Sequence, residues 1–271
     1  MYKFIDEKGE HLHLLNDKPL IGTTSVCGVI AKPLTWWASG LACAEFGWIK
    51  KLDTRKKPTE EEFKKNCIDR ELSALKMLEK FSGMKPDEYV SLLDTAYAAH
   101  SKSLNKSADK GIDMHAELEK YILDCIAFEG LPMIYEGSVP QVGIFSAWAI
   151  ENVKMFLVAE GHCYSERLWV GGGFDCLAEL IDGSIVVIDF KSSKEAYISQ
   201  FIQCALYDIQ ISENGVFDKD GASVYDLEHP IGAYIVFPFG AEKVEPCYNY
   251  DIESLKKGAE AAVVLYKLIN A

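Results

Sequence analysis

The sequence predicts an α/β protein of the mixed α+β kind, on three observations. The first half carries helical periodicity almost throughout, three strand-like runs then follow in close succession between residues 163 and 191, and strands and helices mix from there to the end. At 271 residues the chain is long for one domain and short for two. We expect a helical N-terminal region with a hairpin, 1–105, packed on a core of 106–271 that holds a mixed sheet flanked by helices.

In chain order, Tyr2, Phe4, Leu12 and Leu14 alternate about an Asp6–Gly9 turn, which predicts a hairpin over 2–15. A helical pattern runs from Thr24 to about Lys50, interrupted by Pro33, and its tryptophans Trp36, Trp37 and Trp48 are expected in a core. A basic linker, Lys50–Lys57, precedes a helix over about 59–81. Pro58 and the acidic first turn Glu60–Glu62 suit the positive end of that helix. Helices are predicted over 86–100 and 112–129, with a polar loop at 101–110 between them, and again over 147–160. Strands are predicted at 163–170, 174–181 and 184–191, and a helix over 196–211. A polar turn at 214–221, strands at 232–239 and 244–250, and a helix over 252–268 complete the chain.

Composition narrows the function classes. A hydrophobic fraction of 49% and a charged fraction of 25% are ordinary for a protein with a real core. No window reaches the roughly 18 uninterrupted apolar residues of a membrane span, and the N-terminus lacks a secretion signal, so a cytoplasmic location is expected. The eight cysteines have no close pairs, which argues for reduced thiols packed like small apolar side chains rather than a cysteine-bound metal or iron–sulfur cluster. The net charge of −13 speaks against a broad nucleic-acid-binding surface, though not against a locally positive groove. Lys50–Lys57 and Lys102–Lys110 are the two basic stretches that could line one.

The chemistry concentrates between Gly171 and Tyr207. Asp182-Gly183 is a strong hairpin signal, and the register of that hairpin decides what it can do. A two-residue turn pairs Ile181 with Ser184 and sets Asp175 and Asp189 on opposite faces. A three-residue turn with Gly183 in the left-handed position pairs Leu180 with Ser184 and sets Asp175 opposite Asp189, with Lys191 on the same face as Asp189. A catalytic reading requires the second register, or a bulge that has the same effect. Two carboxylates at a strand end then offer hard oxygen ligands to Mg²⁺ or Mn²⁺. Such a cation polarises a phosphodiester and activates water, while Lys191 stabilises charge building on the phosphate.

Asp189-x-Lys191 alone describes an ordinary strand-end ion pair. Three features strengthen it: the triple glycine 171–173 ahead of Asp175, which permits close approach; the helical face Gln200, Gln203 and Tyr207; and His115 with Glu119 one turn apart on an earlier helix.

Taken in order, Gly111-x-x-x-His115, Glu166, Gly173-Phe-Asp175, Asp189-Phe-Lys191-Ser-Ser and Gln203-x-x-x-Tyr207 resemble the RecB-type branch of the PD-(D/E)XK nuclease superfamily. That branch includes phage exonucleases of the lambda-exonuclease type. The resemblance covers roughly residues 110–210 and implies a restriction-endonuclease-like core. It also implies a Mg²⁺- or Mn²⁺-dependent deoxyribonuclease, of exonuclease kind, acting on DNA in phage or prophage recombination.

Position by position, His115, Asp175, Asp189 and the Phe190 carbonyl would be metal ligands and Lys191 the catalytic lysine. Gln203 and Tyr207 would position the lysine or the DNA backbone. Glu166, expected on the strand before Asp175, matches an acidic position of the family and would either sit behind the metal ligands or support the fold. Glu119 is a candidate outer partner of His115 by helical spacing alone. Relatives of this type also suggest a single-strand annealing protein as partner and a homo-oligomer. Two rival readings stand beside this one: a non-catalytic nucleic-acid-binding or assembly module that retains the fold, and a hydrolase of another phosphoester with a closed small-molecule pocket.

Overall fold

In the computed structural model the backbone is described for residues 1–7, 10–31, 35–54 and 57–271, and side chains for these residues apart from 7, 10, 36 and 104–113. The chain divides into two units. Residues 1–31 and 110–271 form the first, and residues 32–109 the second. The N-terminal hairpin thus falls in the same unit as residues 110–271.

The first unit is built on a mixed sheet whose spatial order is β11-β10-β7-β6-β5-β8-β9. Its strands are β5 (Val153–Ser165), β6 (Val170–Leu180), β7 (Ile185–Lys191), β8 (Val216–Phe217), β9 (Ser223–Tyr225), β10 (Ile231–Pro238) and β11 (Cys247–Asn249). β5, β6 and β7 form an antiparallel meander, and β10 returns parallel to β7 after the crossover helix α6 (Ile198–Asn214). The run Ile185–Phe190 is buried at every position, as a central strand covered on both faces demands.

Alternation along β7 divides the core in two. Val187 packs with α6, with α7 (Ile252–Ile269) and with Val26 of the short helix α1 (Thr23–Gly28). Val186, Ile188 and Phe190 pack with the C-terminal half of α4 (Pro86–Ala127) and with α5 (Pro140–Asn152). The sheet is therefore the middle layer between two helical layers, the mixed α/β arrangement that the sequence predicts.

The hairpin forms from β1 (Tyr2–Glu7) and β2 (Glu10–Leu15), with Phe4 opposite His13 and Asp6 opposite His11; its turn residues 8–9 lie outside the described residues. Tyr2, Leu15 and Leu20 fasten it against Tyr164, Trp169 and Phe217. After the short β3 (Lys18–Pro19), β4 (Ile21–Gly22) pairs in parallel with Val170 and Gly171 of β6 and leads into α1.

The second unit holds α2 (Thr35–Ala44), α3 (Glu60–Ser82) and the first half of α4. The start of α3 carries a full capping box, with Thr59 N donating to Glu62 Oε2 at 2.7 Å and Glu62 N to Thr59 Oγ1 at 3.2 Å. Trp37 and Trp48 are 39% and 44% exposed, so neither is the core residue that composition suggests, and the Trp36 side chain lies outside the described residues. Pro33 lies outside the described residues.

Three expectations change. The polar loop at 101–110 is helical, and α4 runs unbroken for 42 residues. No proline interrupts 101–110, and lysine, serine and alanine are all tolerated in a helix interior. The side chains of 104–113 lie outside the described residues, and with them most of the Lys102–Lys110 stretch. The predicted helix 147–160 ends at Asn152, and β5 begins at Val153. Its residues fit either period, and pairing with β6 over the length of the strand decides for the sheet. The predicted strand 163–170 is instead the end of β5, a turn at 166–169 and the start of β6.

Candidate functional site

The turn at Asp182-Gly183 adopts the longer register. Cys176 pairs with Ile188 and Glu179 with Ile185, Leu180 N donates to Ser184 O at 2.9 Å, and Gly183 sits at φ +87°. Ser184 N and Oγ both donate to Asp182 Oδ1, which locks the loop. Continued one step, the ladder sets Asp175 opposite Asp189. There the backbone pairing gives way, and Asp175 Oδ2 accepts the Phe190 N–H at 2.6 Å.

Both strands beside this point change face. Phe174 and Leu177, three residues apart on β6, pack in the same α6-side core, as do Val158 and Cys163, five apart on β5. A regular strand would put each pair on opposite faces. The register of β5 against β6 shifts between Val153 and Met155 and between Phe156 and Val158, and Glu160 takes φ +47°, a left-handed conformation uncommon for a side chain of this kind. Ala159 pairs with Cys176 and Gly161 with Phe174, so Glu160 stands directly across from Asp175. The local twist turns Asp175 toward α4, where His115 waits.

His115 Nε2 donates to the Phe190 carbonyl at 2.9 Å and lies 3.5 Å from Asp175 Oδ2. Lys191 Nζ meets Asp189 Oδ1 at 2.7 Å. Asp189 is 2% exposed, and its other oxygen, Oδ2, finds no hydrogen-bond partner among the described residues. The structure thus brings His115, Asp175, Asp189, the Phe190 carbonyl and Lys191 together. Among the described residues no three acidic, histidine or cysteine side chains stand in a ready metal-binding geometry. His115, Asp175, Asp189 and the Phe190 carbonyl are the groups that could hold a cation here.

The donor set fits such a cation. Carboxylates, a backbone carbonyl and an imidazole are donor types that a Mg²⁺ or Mn²⁺ ion takes, with His115 Nε2 giving up the hydrogen bond that it donates to the Phe190 carbonyl. The orphaned Asp189 Oδ2 supplies a buried anionic oxygen that protein groups leave unsatisfied.

The electrostatics follow from burial and crowding. Burial and the neighbouring Asp175 push the Asp189 carboxyl up to about 6 against the pull of Lys191. Asp175 lies below the usual carboxylate range: burial would raise it, but the His115 hydrogen bond, the charges of Lys191 and His115 and the Phe190 N–H outweigh that. Lys191 stays an ammonium well above neutral pH, because Asp189 and Asp175 overcome its desolvation.

Gln203 Nε2 donates to Tyr207 Oη at 2.6 Å within buried surroundings. Burial, then the negative charge of Asp189, hold the Tyr207 phenol protonated, which places that ring within electrostatic reach of the cluster. The triple glycine admits it: a Cβ on Gly172 would meet Thr23 Oγ1 at 2.4 Å and Tyr207 Cε1 at 2.9 Å. Residues 201–211 of α6 are buried on every side, so the expected polar face is enclosed rather than open. Gln200 serves as a helix cap instead, accepting from Tyr197 N at 2.8 Å and donating to Ser193 Oγ at 3.2 Å.

Glu166 stands apart from this group. It is exposed in the turn after β5, not on the strand, and its charge acts on Tyr164. Sequence reasoning missed Glu160, whose carboxyl is pushed up to about 8 by burial and then by Asp175 and Glu119. The signal that could have found it was a strand reading of 153–160, which places this residue across from Asp175. Glu119 shares that neighbourhood through Glu160.

Neither the models of known protein families nor the sequences of curated proteins match this chain.

Proposed function

We propose that this chain is a Mg²⁺- or Mn²⁺-dependent deoxyribonuclease with a restriction-endonuclease-like core, which hydrolyses DNA phosphodiester bonds from strand ends. One observation carries the reading: Asp189 Oδ2 is buried with no hydrogen-bond partner among the described residues, next to the Phe190 carbonyl on which His115 converges with Asp175. The motif resemblance to RecB-type nucleases points the same way, and from it come the exonuclease mode and the recombination setting, with an annealing protein and further copies of the chain as partners.

His115, Asp175, Asp189 and the Phe190 carbonyl would hold the cation, which supplies polarisation of the phosphodiester and activation of water. Lys191, kept as an ammonium and steered by Asp189 at 2.7 Å, donates to a phosphate oxygen and stabilises the charge that grows there in the transition state. Asp189 therefore has two tasks, one for each oxygen. Tyr207, tied to Gln203, bounds the floor behind Gly172 and holds a protonated hydroxyl within reach of the same charges.

The test is end-labelled single- and double-stranded DNA incubated with Mg²⁺ or Mn²⁺, comparing wild type with Lys191→Ala. Loss of this transition-state contact is expected to slow cleavage by about 10²–10³-fold. Equal degradation by both proteins refutes the mechanism. Degradation by neither favours the binding-module reading.

A further inference from the structure

The second unit holds a helix that is turned the wrong way for its composition. Among the described residues none of the 23 in α3 is buried. The side that α3 turns to its neighbours within the unit is partly polar. There Ser73 Oγ donates to the Gly47 carbonyl at 2.7 Å and Asn66 Nδ2 to the Lys50 carbonyl at 3.1 Å. Phe81 lies tilted against Phe46 and edge-on to Tyr89.

The aliphatic residues of the helix lie on another side. Ile68, Leu72, Leu75 and Leu78 are 56%, 51%, 62% and 66% exposed. At about 100° per residue, Leu72 and Leu75 project within about 40° of Ile68, and Leu78 extends the stripe along one edge. Asn66, Ser73, Met77 and Phe81 project at least about 140° away from Ile68. A helix of a soluble protein normally turns its aliphatic stripe inward. These four side chains instead present about 300–400 Å² of apolar surface, the size of the largest patch on a typical monomer and of the kind that marks an interaction site.

The charges around the stripe identify what covers it. Lys65 and Glu79 continue the stripe at its two ends, seven residues before and seven after Leu72. Asp69 and Lys76 flank one edge, three before and four after. Reversed end for end about Leu72, the pattern is its own complement: lysine meets glutamate and aspartate meets lysine, each twice. A parallel copy would set Lys65 on Lys65 and Glu79 on Glu79 instead. Glu79 also stands in the last turn of α3, where its charge opposes the dipole of its own helix. Self-complementarity of this sort is what a two-fold pair of identical surfaces requires.

We propose that α3 docks on α3 of a second copy of this chain, antiparallel, about a two-fold axis at Leu72. Ile68 of each copy then lies toward Leu75 of the other, and the two aliphatic stripes cover one another. With the charged rim included, such a pair hides about 1,000 Å² in total, at the lower limit of a specific interface, which suits a dimer of micromolar strength. The inference does not depend on the nuclease reading, and it names a surface and a symmetry that the resemblance to nucleases does not supply.

Sedimentation velocity of the full chain between about 1 and about 200 µM should show a monomer–dimer equilibrium. Leu72→Lys, at an exposed position on the axis, should weaken the dimer by about 30-fold or more. Lys65→Glu and Glu79→Lys should each weaken it by about tenfold, and the double variant should restore it, because the swap keeps the pattern complementary across the axis. Glu71→Gln should tighten the dimer, since Glu71 lies one residue from the axis on the other edge and faces its own copy. Circular dichroism of each variant at the dilute end should match wild type. A chain that stays monomeric over the whole range overturns the inference, and so does a dimer that Leu72→Lys leaves intact. Single charge variants that the double variant fails to rescue overturn it as well, as does loss of helix in dilute Leu72→Lys. None of these outcomes bears on DNA cleavage, which Lys191→Ala tests separately.

Discussion

Replacing Asp189 by Asn should make the metal-free protein more stable while greatly weakening its response to Mn²⁺. The wild-type carboxylate is 2% exposed and one of its oxygens is unsatisfied, so burial and Asp175 lift its pKa to about 6 even with Lys191 at 2.7 Å. Raising a carboxyl from about 3.9 to about 6 costs the ionised fold about 3 kcal/mol at neutral pH. The sign is fixed by proton binding. The folded state holds the proton more tightly than the unfolded chain, so this penalty is absent below about pH 4 and complete above about pH 6.

Asn keeps the shape, the acceptor for Lys191 and the nearby charge of Asp175, but removes the buried anion. Its amide nitrogen then takes the orphan's place at a cost of about 1 kcal/mol, which leaves a net gain of about 2 kcal/mol. Urea unfolding in EDTA at pH 7.5 reads that gain as a higher midpoint at unchanged slope. Mn²⁺ at a hundred times its dissociation constant should stabilise wild type by about 2.7 kcal/mol and Asp189→Asn far less. A clear loss of stability in EDTA, or equal stabilisation of both proteins by Mn²⁺, would refute the reasoning.

Two further outcomes follow from the same geometry. His162 is held neutral at about 4 by burial, below the unfolded value of about 6.5, so its contribution is whole above pH 6.5 and drains away as pH falls toward 4. Near pH 5 the loss is about 2 kcal/mol, and urea midpoints at pH 7 and 5 should show a shallower acid dependence in His162→Gln than in wild type; identical dependences would count against a neutral buried ring. Gly172→Ala should cost about 1–3 kcal/mol by overpacking against Thr23 and Tyr207, and should lower DNA cleavage further than the melting shift explains, because Tyr207 must move. Unaltered melting would show that the floor beneath Gly172 has room.

Local chemistry in the sequence determined much of the fold and part of the site. The buried run Ile185–Ile188 made a central strand, Thr59 with Glu62 started a helix, and Asp182-Gly183 made a tight turn, because each depends on neighbours within a few residues. Asp189 and Lys191 were legible for the same reason, since residues two apart on a strand share a face. The sequence also narrowed the register at Asp182-Gly183 to two choices, one of which excluded a site.

Only the tertiary structure could choose between them, because the choice depends on which faces of β6 and β7 the two helical layers cover. It also decided what lies far apart in the chain. His115 reaches the Phe190 carbonyl across 75 positions, and the helical segment that holds it continues through residues whose composition resembles a loop. Glu160 stayed hidden because 147–160 fits a helical period as well as a strand, and cross-strand pairing with β6 settles that ambiguity. Its left-handed backbone and the change of face at Asp175 across from it depend on that pairing, and the unsatisfied Asp189 oxygen on the strand beyond, since no local preference places such carboxylates on three adjacent strands.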